Sequence, residues 1–264
     1  MNVQPQVAAL LQHRQWMRFT DPFPHIYAAD VFRPDVHFAI EKGMNEVLAR
    51  GLSETPATGR MSRSMPGYDA YGCGGFGNDM PAALQFFFSR PWHDLLAGAC
   101  GVLSTGHIQG GLHHHRVGSA SGQVHNDFVP GWFADQPRDD GLIPGRAELC
   151  DYKTGRRLAD GVQTRRVVRA ASMIYFAGNG TWSAGDGGST GLYRRGADPI
   201  DAPAVEIPPV NNSLLLFEIT PFSFHTFISN VGRERNSVIL FLHADLDAAV
   251  ARWGENRIGR WESL

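Results

Sequence analysis

The sequence contains few cysteines, and their spacing is wide. Its 264 residues include three cysteines, an odd number without a CxxC pair, namely Cys73, Cys100 and Cys150. Secreted proteins of small size normally use an even set of cysteines as a disulfide framework. The observed number and spacing instead indicate reduced thiols in packing or loop positions, which is typical of a cytoplasmic protein.

The sequence also lacks a strong charge of one sign and any long apolar run. The 24 Lys and Arg residues nearly balance the 26 Asp and Glu residues, and the formal net charge is −2. This balance favours neither nucleic acid nor an anionic membrane as a partner. The longest apolar runs, "SLLLF" and "SVILFL", have the length of strands and are too short to span a bilayer. The first twenty residues lack the pattern of a signal peptide, so we expect a cytoplasmic protein.

The first hundred residues are predicted to be mainly helical. Pro34 is well placed at the start of a helix, and apolar residues then recur at helical spacing up to the Arg50-Gly51 stop. A second helical stretch begins near Pro81, is interrupted at Pro91 and resumes from there. Between them, residues 52–79 are rich in Gly, Ser, Pro and Met, and a loop of this length in a compact domain is either disordered or a functional lid.

From about residue 101 the pattern changes to short β-like runs separated by turn residues. The clearest runs are "GLHHHRV", "RRVVRAASMIYFA", "NSLLLFEI", "HTFISNV" and "NSVILFLHA". Such runs, separated by Gly, Asn and Pro, favour an all-β sandwich or barrel. Because no linker interrupts the 264 residues, we expect a single domain with helices first and a β core after them.

One histidine–aspartate pair stands out within a strand-like stretch. In "SGQVHNDFVPGWF", His125 and Asp127 lie two residues apart and would share one face of a strand. This HxD pattern is weak alone, and the sequence has a second one at His243 and Asp245. A mononuclear iron site needs two histidines and one carboxylate on one side of the metal. Only the first pair is followed by a suitable third ligand, His225.

The segment after His225 contains a candidate anion site. Arg235 lies ten residues beyond His225, and Ser237 follows two residues later on the same predicted strand. By alternation the two side chains share a face. A guanidinium fork and a hydroxyl together suit a carboxylate in a dry barrel, and the far carboxylate of 2-oxoglutarate matches this description.

At these residues the sequence resembles the Fe(II)/2-oxoglutarate-dependent dioxygenases, most closely the prolyl-hydroxylase-like branch. The resemblance covers about residues 107–245. It is found in "VHND", in "SMIYFAGNGTWSAGDGGSTGLYR" and in "SLLLFEITPFSFHTFISNVGRERNSV". The segment "DPFPHIYAADVFRPDVHFAIEKGM" is also similar to the opening of many such enzymes. Each motif is weak singly, but their order makes a strong combined signal.

The resemblance implies a mainly β fold with N-terminal helices and a double-stranded β-helix (jelly-roll) core. The core would cover residues 101–245, with helical support and a lid loop in 1–100 and a C-terminal segment in 246–264. It also implies Fe(II) as cofactor with 2-oxoglutarate and O2 as co-substrates. The implied ligands are His125, Asp127 and His225 for iron, and Arg235 with Ser237 for 2-oxoglutarate. Two further co-substrate contacts remain open between neighbours: Tyr175 or Phe176, and His115 or Arg116.

The activity implied by the resemblance is oxidation of an unactivated C–H bond, most simply hydroxylation, with desaturation or ring closure as variants. The absence of a peptide-recognition module and the long loop favour a small metabolite, amino acid or natural-product scaffold as substrate. Hydroxylation of a prolyl or aspartyl residue in a protein is the alternative. A non-catalytic jelly-roll metal or ligand binder is the alternative of another class. Further substrate contacts are expected from His115, Arg60, Arg63 and Trp182.

Overall fold

A computed structural model describes residues 7–50, 68–72 and 80–261, with residues 68–72 described by their backbone alone. Five α-helices occur in these ranges: α1 (Val7–Leu10), α2 (Pro34–Arg50), α3 (Ala82–Gln85), α4 (Arg90–Cys100) and α5 (Leu246–Trp253). Short 3-10 helices cover Phe86–Phe88, Ala184–Asp186 and Glu255–Arg257. Within the described ranges, no helix combines the length and the apolarity needed to cross a membrane.

Twelve strands form the β part of the described residues. They are β1 (Met17–Phe19), β2 (His25–Ala28), β3 (Tyr68–Gly72), β4 (His107–His115), β5 (Pro130–Ala134), β6 (Ile143–Pro144), β7 (Thr164–Phe176), β8 (Thr190–Tyr193), β9 (Val205–Ile207), β10 (Ser213–Glu218), β11 (Phe224–Phe227) and β12 (Arg235–Asp245). A large sheet has the order β1-β2-β10-β7-β12-β4-β3, with β5 on β7 and β6 on β4. A small sheet has the order β11-β8-β9.

The two faces of the large sheet pack against different elements, and this difference decides which side chains point into the interior. One face, which we call the outer face, packs against the helices through residues such as Met173, Leu240 and Trp92 of α4. The other, the inner face, packs towards the small sheet through residues such as Ile174 and Leu192. The two sheets therefore enclose an interior, as expected of a mainly β double-stranded β-helix.

The helices of the first hundred residues largely follow the sequence pattern. Helix α2 has the predicted bounds, and its buried residues recur at helical spacing. The break in the second helical stretch falls at Ser89, whose side chain accepts a hydrogen bond from the backbone N–H of Trp92. Ser89 is thus the N-cap of α4, and Pro91 lies in the first turn, where its missing N–H costs nothing. Gly101 ends α4 in the left-handed conformation, at φ 71°.

Two features of this region differ from the expected order of helices first and strands later. Strands β1 and β2 precede α2, and β2 pairs antiparallel with β10 in the large sheet. Strands of three and four residues contain too few positions to show alternation, so the sequence does not reveal them. Within the predicted loop 52–79, β3 pairs with β4; the rest of that loop lies outside the described residues.

Candidate metal centre

Two distant segments bring His125 and His225 together through their backbones. The N–H of His225 donates to the carbonyl oxygen of His125 at 2.8 Å, and the reverse bond measures 3.1 Å. This isolated antiparallel bridge places the segment before β5 beside β11 of the small sheet. The imidazole centres are 4.5 Å apart. Their proximity is therefore a product of tertiary pairing across one hundred residues of chain.

Asp127 joins the two histidines through a turn, which corrects the strand expected at this position. Its φ of 58° lies in the left-handed region, which non-glycine residues seldom adopt and Asp tolerates better than most. The N–H of Phe128 donates to Oδ1 of Asn126 at 3.0 Å, and the N–H of Val129 donates to the carbonyl oxygen of Asp127 at 2.8 Å. These bonds hold the turn, so backbone geometry rather than alternation points the carboxylate inward.

The donor atoms of the triad fit one divalent metal ion. Oδ2 of Asp127 lies 3.4 Å from Nε2 of His225 and 3.7 Å from Nε2 of His125, and the three ligand atoms lie within 4.8 Å of one another. Donors at about 2.1 Å from one ion and at right angles would be about 3 Å apart. Two imidazoles and one carboxylate on one side of an ion form the donor set of non-haem iron oxygenases. The expectation that these three residues converge is confirmed.

Hydrogen bonds orient both imidazoles for a metal. Nδ1 of His125 donates to the carbonyl oxygen of Gln123 at 2.7 Å, and Nδ1 of His225 donates to that of Ser223 at 3.0 Å. A carbonyl only accepts, so Nδ1 bears the proton and the Nε2 lone pair is available to a metal. His125 is 27% exposed, whereas the side chains of His225 and Asp127 are 7% and 3% exposed. The site therefore opens to solvent on the side of His125.

Arg235 and Ser237 lie on the inner face, as the alternation of β12 predicts. Nη2 of Arg235 donates to Oγ1 of Thr190 at 3.1 Å, and its guanidinium lies 5.1 Å from the ring centre of Phe176 and 5.4 Å from that of Phe227. Ser237 is fully buried, and among the described residues its Oγ has no hydrogen-bond partner. A buried hydroxyl without a partner beside a cation is a place where a ligand carboxylate can bind.

Two neutral histidines line the same strand pair. His115 is opposite Arg235 and His113 is opposite Ser237 in the β4–β12 register. Burial, with the charge of Arg235, lowers the pKa of His113 to about 3 and the pKa of His115 well below its usual range. The His115 ring stacks on Phe227 with centres 3.8 Å apart. The positive charge of this region at neutral pH is therefore that of the arginine.

The structure corrects two of the expected co-substrate contacts. Tyr175 faces the helices on the outer face, where its hydroxyl donates to Oδ1 of Asn212 at 3.1 Å and lies 2.8 Å from Nδ1 of His37. Phe176, the other alternative, lies on the side of Arg235 because adjacent residues of a strand point to opposite faces. Arg116 is exposed in the turn after β4 and does not share the buried face of His115.

Of the other expected substrate contacts, Trp182 lies in the turn before β8. The indole N–H of Trp182 donates to the carbonyl oxygen of Gly187 at 2.9 Å, which holds the turn before β8. That turn approaches Arg235, because a methyl group on Gly188 would lie 3.4 Å from Cβ of Arg235. Arg60 and Arg63 lie outside the described residues.

The second histidine–aspartate pair has structural roles. His243 is fully buried, and the hydroxyl of Tyr152 lies 2.7 Å from its Nε2. The carboxylate of Asp245 accepts from the backbone N–H of Ala248 at 3.0 Å and is the N-cap of α5. The hypothesis that this pair is not the metal site agrees with these contacts.

One buried cation beside the triad, Arg169, was not predicted from the sequence. Nη1 of Arg169 donates to Oδ1 of Asp127 at 2.7 Å, and both side chains are almost completely buried. Burial alone would raise the pKa of Asp127, but Arg169, together with the two histidines, holds that pKa well below its usual range. The available signal was a lone arginine within the apolar strand "VVRAASMIYF", since a buried arginine almost always has an anionic partner.

Comparison with known proteins supports the fold. No protein-family profile and no curated protein matches the sequence. Among solved structures, a Pseudomonas putida prolyl-4-hydroxylase matches with a TM-score of 0.52 and 14% identity, covering 83% of this chain and 91% of that one. A prolyl hydroxylase from Trichoplax adhaerens, solved with a peptide fragment of hypoxia inducible factor, matches with a TM-score of 0.54 and 15% identity, covering 86% of each chain. The chain therefore has the double-stranded β-helix fold of these enzymes.

Proposed function

We propose that this protein is an Fe(II)- and 2-oxoglutarate-dependent oxygenase that hydroxylates an unactivated C–H bond. The observation that carries the proposal is the convergence of two oriented imidazoles and one carboxylate, His125, His225 and Asp127, within 4.8 Å of one another. Three donors on one side of a six-coordinate ion leave the other three positions for substrates. The fold shared with prolyl hydroxylases agrees with this assignment.

Arg235 and Ser237 are the proposed receptor for 2-oxoglutarate. Nη2 of the guanidinium donates to Thr190, and a guanidinium fork matches the geometry of a carboxylate. Ser237 supplies the buried hydroxyl that has no other partner among the described residues. A dicarboxylate bound here by its far end would extend its keto-acid end towards the metal ligands.

In the proposed reaction the protein would bind and orient the iron and the co-substrate, and it would exclude water. His125, Asp127 and His225 would hold iron, and their backbone hydrogen bonds fix the direction of the two histidine lone pairs. When bound, iron would supply the oxidation chemistry in which 2-oxoglutarate and O2 are consumed and succinate and CO2 are formed. The aromatic rings of Phe176 and Phe227 beside Arg235 keep the co-substrate region dry.

For the substrate we propose a small molecule, such as an amino acid, another metabolite or a natural-product scaffold. A second candidate is a prolyl residue in a peptide or protein, favoured by the fold likeness to the Trichoplax adhaerens enzyme, which was solved with a peptide. The two candidates share the same triad and differ in what approaches the exposed side of His125.

Anaerobic titration tests the cofactor assignment. Fe(II) and 2-oxoglutarate added together should produce a visible charge-transfer band in the wild-type protein. The variant His225→Ala should lose the band because it lacks a ligand, whereas His243→Ala should retain it. Absence of the band in the folded wild type would overturn the proposal.

A succinate-release screen tests catalysis and substrate class together. We expect 2-oxoglutarate turnover to increase with one member of a panel that contains amino acids, metabolites and proline-containing peptides. Stimulation by a peptide alone would support the second candidate. Metal and 2-oxoglutarate binding without succinate release under air would instead indicate a non-catalytic jelly-roll binder.

A further inference from the structure

The carboxylate of Asp127 divides its two oxygens between different partners. Oδ2 faces the imidazoles, at 3.4 Å from His225 and 3.7 Å from His125. Oδ1 instead accepts from Nη1 of Arg169 at 2.7 Å. Only one carboxylate oxygen is therefore directed to the place that a metal would occupy.

A β-bulge brings Arg169 to this carboxylate. In the pairing of β7 with β12, Leu242 is opposite Ala171 but His243 is opposite Arg169, so Ala170 is an additional residue. Regular alternation would direct Arg169 to the outer face with Ala171. The bulge turns its side chain to the inner face, which is a known effect of bulges near functional sites.

A chain of hydrogen bonds holds the guanidinium in place. Nε of Arg169 donates to the hydroxyl oxygen of Tyr152 at 3.1 Å, and that hydroxyl donates to Nε2 of His243 at 2.7 Å. Nδ1 of His243 in turn donates to the carbonyl oxygen of His107 at 3.1 Å. Because arginine only donates and a carbonyl only accepts, the direction of every bond in this chain is determined.

Apolar and aromatic groups shield the ion pair from water. The guanidinium carbon lies 3.7 Å from the ring centre of Phe241 and 5.1 Å from that of Trp261. Nη2 donates to Oε1 of Gln109 at 3.4 Å, so the planar fork is held at three points. A hydrogen-bonded pair in such a low-dielectric environment has a well-defined geometry.

We propose that Arg169 is a positioning residue of the metal centre: by holding Oδ1, it keeps Asp127 a ligand through Oδ2 alone. The inference rests on the proposed function because it takes the triad to be a metal site. With Oδ1 released, the carboxylate can rotate and bind through both oxygens. Oδ1 would then occupy one of the three coordination positions of the metal that the triad leaves open.

The experiment counts the water molecules on a bound metal. Mn(II) is added to the purified protein without 2-oxoglutarate, and coordinated water is measured by water-proton relaxation and by line broadening in ¹⁷O-labelled water. The variants are Arg169→Gln, which removes the cation, and Arg169→Lys, which retains a donor for Oδ1. Arg165→Gln is the matched control, because Arg165 lies on the same strand and pairs with Asp245 at the surface.

We expect Arg169→Gln to lose one coordinated water, a fall of roughly one third if three positions are open. Arg169→Lys should remain nearer the wild type, and Arg165→Gln should equal it. A lower Tm with an unchanged water number in Arg169→Gln would show a purely structural ion pair and overturn the inference.

A further variant covers the case in which Arg169→Gln does not fold. Tyr152→Phe removes the hydroxyl that accepts from Nε but keeps the ring, and we expect a smaller fall in the same direction. An unchanged water number there would overturn the inference. Failure of the wild type to bind Mn(II), or binding that survives His225→Ala, would instead overturn the proposed function.

Discussion

At the scale of single residues, the two histidine–aspartate pairs differ in what their imidazoles face. In His125 and His225, Nδ1 donates to a nearby carbonyl and Nε2 points to Asp127. In His243, both nitrogens are engaged by other groups, namely Tyr152 and the carbonyl of His107. An imidazole without a free nitrogen cannot bind a metal.

This contrast predicts different outcomes for alanine substitution. His125→Ala or His225→Ala should abolish Fe(II) binding, because each removes one of three ligands. His243→Ala should keep Fe(II) binding but lower the free energy of unfolding by about 2–4 kcal/mol, since it leaves a cavity and removes the acceptor of the Tyr152 hydroxyl proton. Metal titration and urea denaturation measure the two effects. Loss of metal in His243→Ala with retention in His225→Ala would refute the triad.

The proposed 2-oxoglutarate receptor, Arg235 and Ser237, allows a second prediction at this scale. Arg235→Ala should weaken 2-oxoglutarate binding about 10- to 100-fold, because a charge-assisted contact to a buried carboxylate is lost. Ser237→Ala removes one neutral donor and should weaken it only about 2- to 10-fold. Anaerobic titration of the charge-transfer band gives both constants. Unchanged 2-oxoglutarate affinity in Arg235→Ala, with iron still bound, would refute the assignment.

At the scale of secondary-structure elements, a turn and a β-bulge position the side chains of the proposed metal centre. The left-handed turn at Asp127 ends the segment that pairs with β11, and the bulge at Ala170 redirects Arg169. Regular strands on either side hold these points in register. The geometry of the proposed metal centre is thus built where the β-structure is interrupted.

The N-cap of α5 gives a prediction for an element. Asp245→Ala removes the acceptor of the Ala248 N–H and should lower the free energy of unfolding by about 1 kcal/mol, without affecting metal binding. Asp247→Asn, in the first turn of the same helix, is the control and should cost less. Urea denaturation checks the difference. Equal values for both variants would show that the cap contributes nothing.

At the scale of the whole molecule, buried neutral histidines link stability to pH. Burial, with the charge of Arg165, lowers the pKa of His107 to about 4 from 6.5 in the unfolded chain. Between these values the unfolded state binds a proton that the folded state does not. Stability is therefore full above pH 6.5 and decreases as the pH falls towards 4.

Acid denaturation tests this linkage. The free energy of unfolding of the metal-free protein should fall below pH 6.5, by about 1.4 kcal/mol per pH unit for His107 alone, with His113 and His115 adding to the slope. His107→Gln should make the free energy of unfolding depend less steeply on pH, because the variant lacks the proton that His107 binds in the unfolded state. A wild-type stability that is constant between pH 7 and pH 5 would contradict the prediction.

A feature of this protein could be predicted from the sequence when it depends on neighbouring residues, and could not when it depends on pairing between distant segments. Helix α2 was predictable because its buried residues recur at helical spacing. Strands β7, β10 and β12 were predictable because each is a short apolar run bounded by turn residues. Strand β2 was not predictable, because it depends on pairing with β10. The inner position of Arg169 was not predictable either, because it depends on a one-residue bulge.

The sequence by itself determined the order of the proposed metal ligands, His125, Asp127 and His225, and the common face of Arg235 and Ser237. Residue types and alternation along one strand are local properties. Only the tertiary structure decided that Tyr175 faces the helices and that Arg169 binds Asp127. Both outcomes depend on which sheet face meets which layer and on register between strands far apart in sequence, where a shift of one residue reverses every side chain.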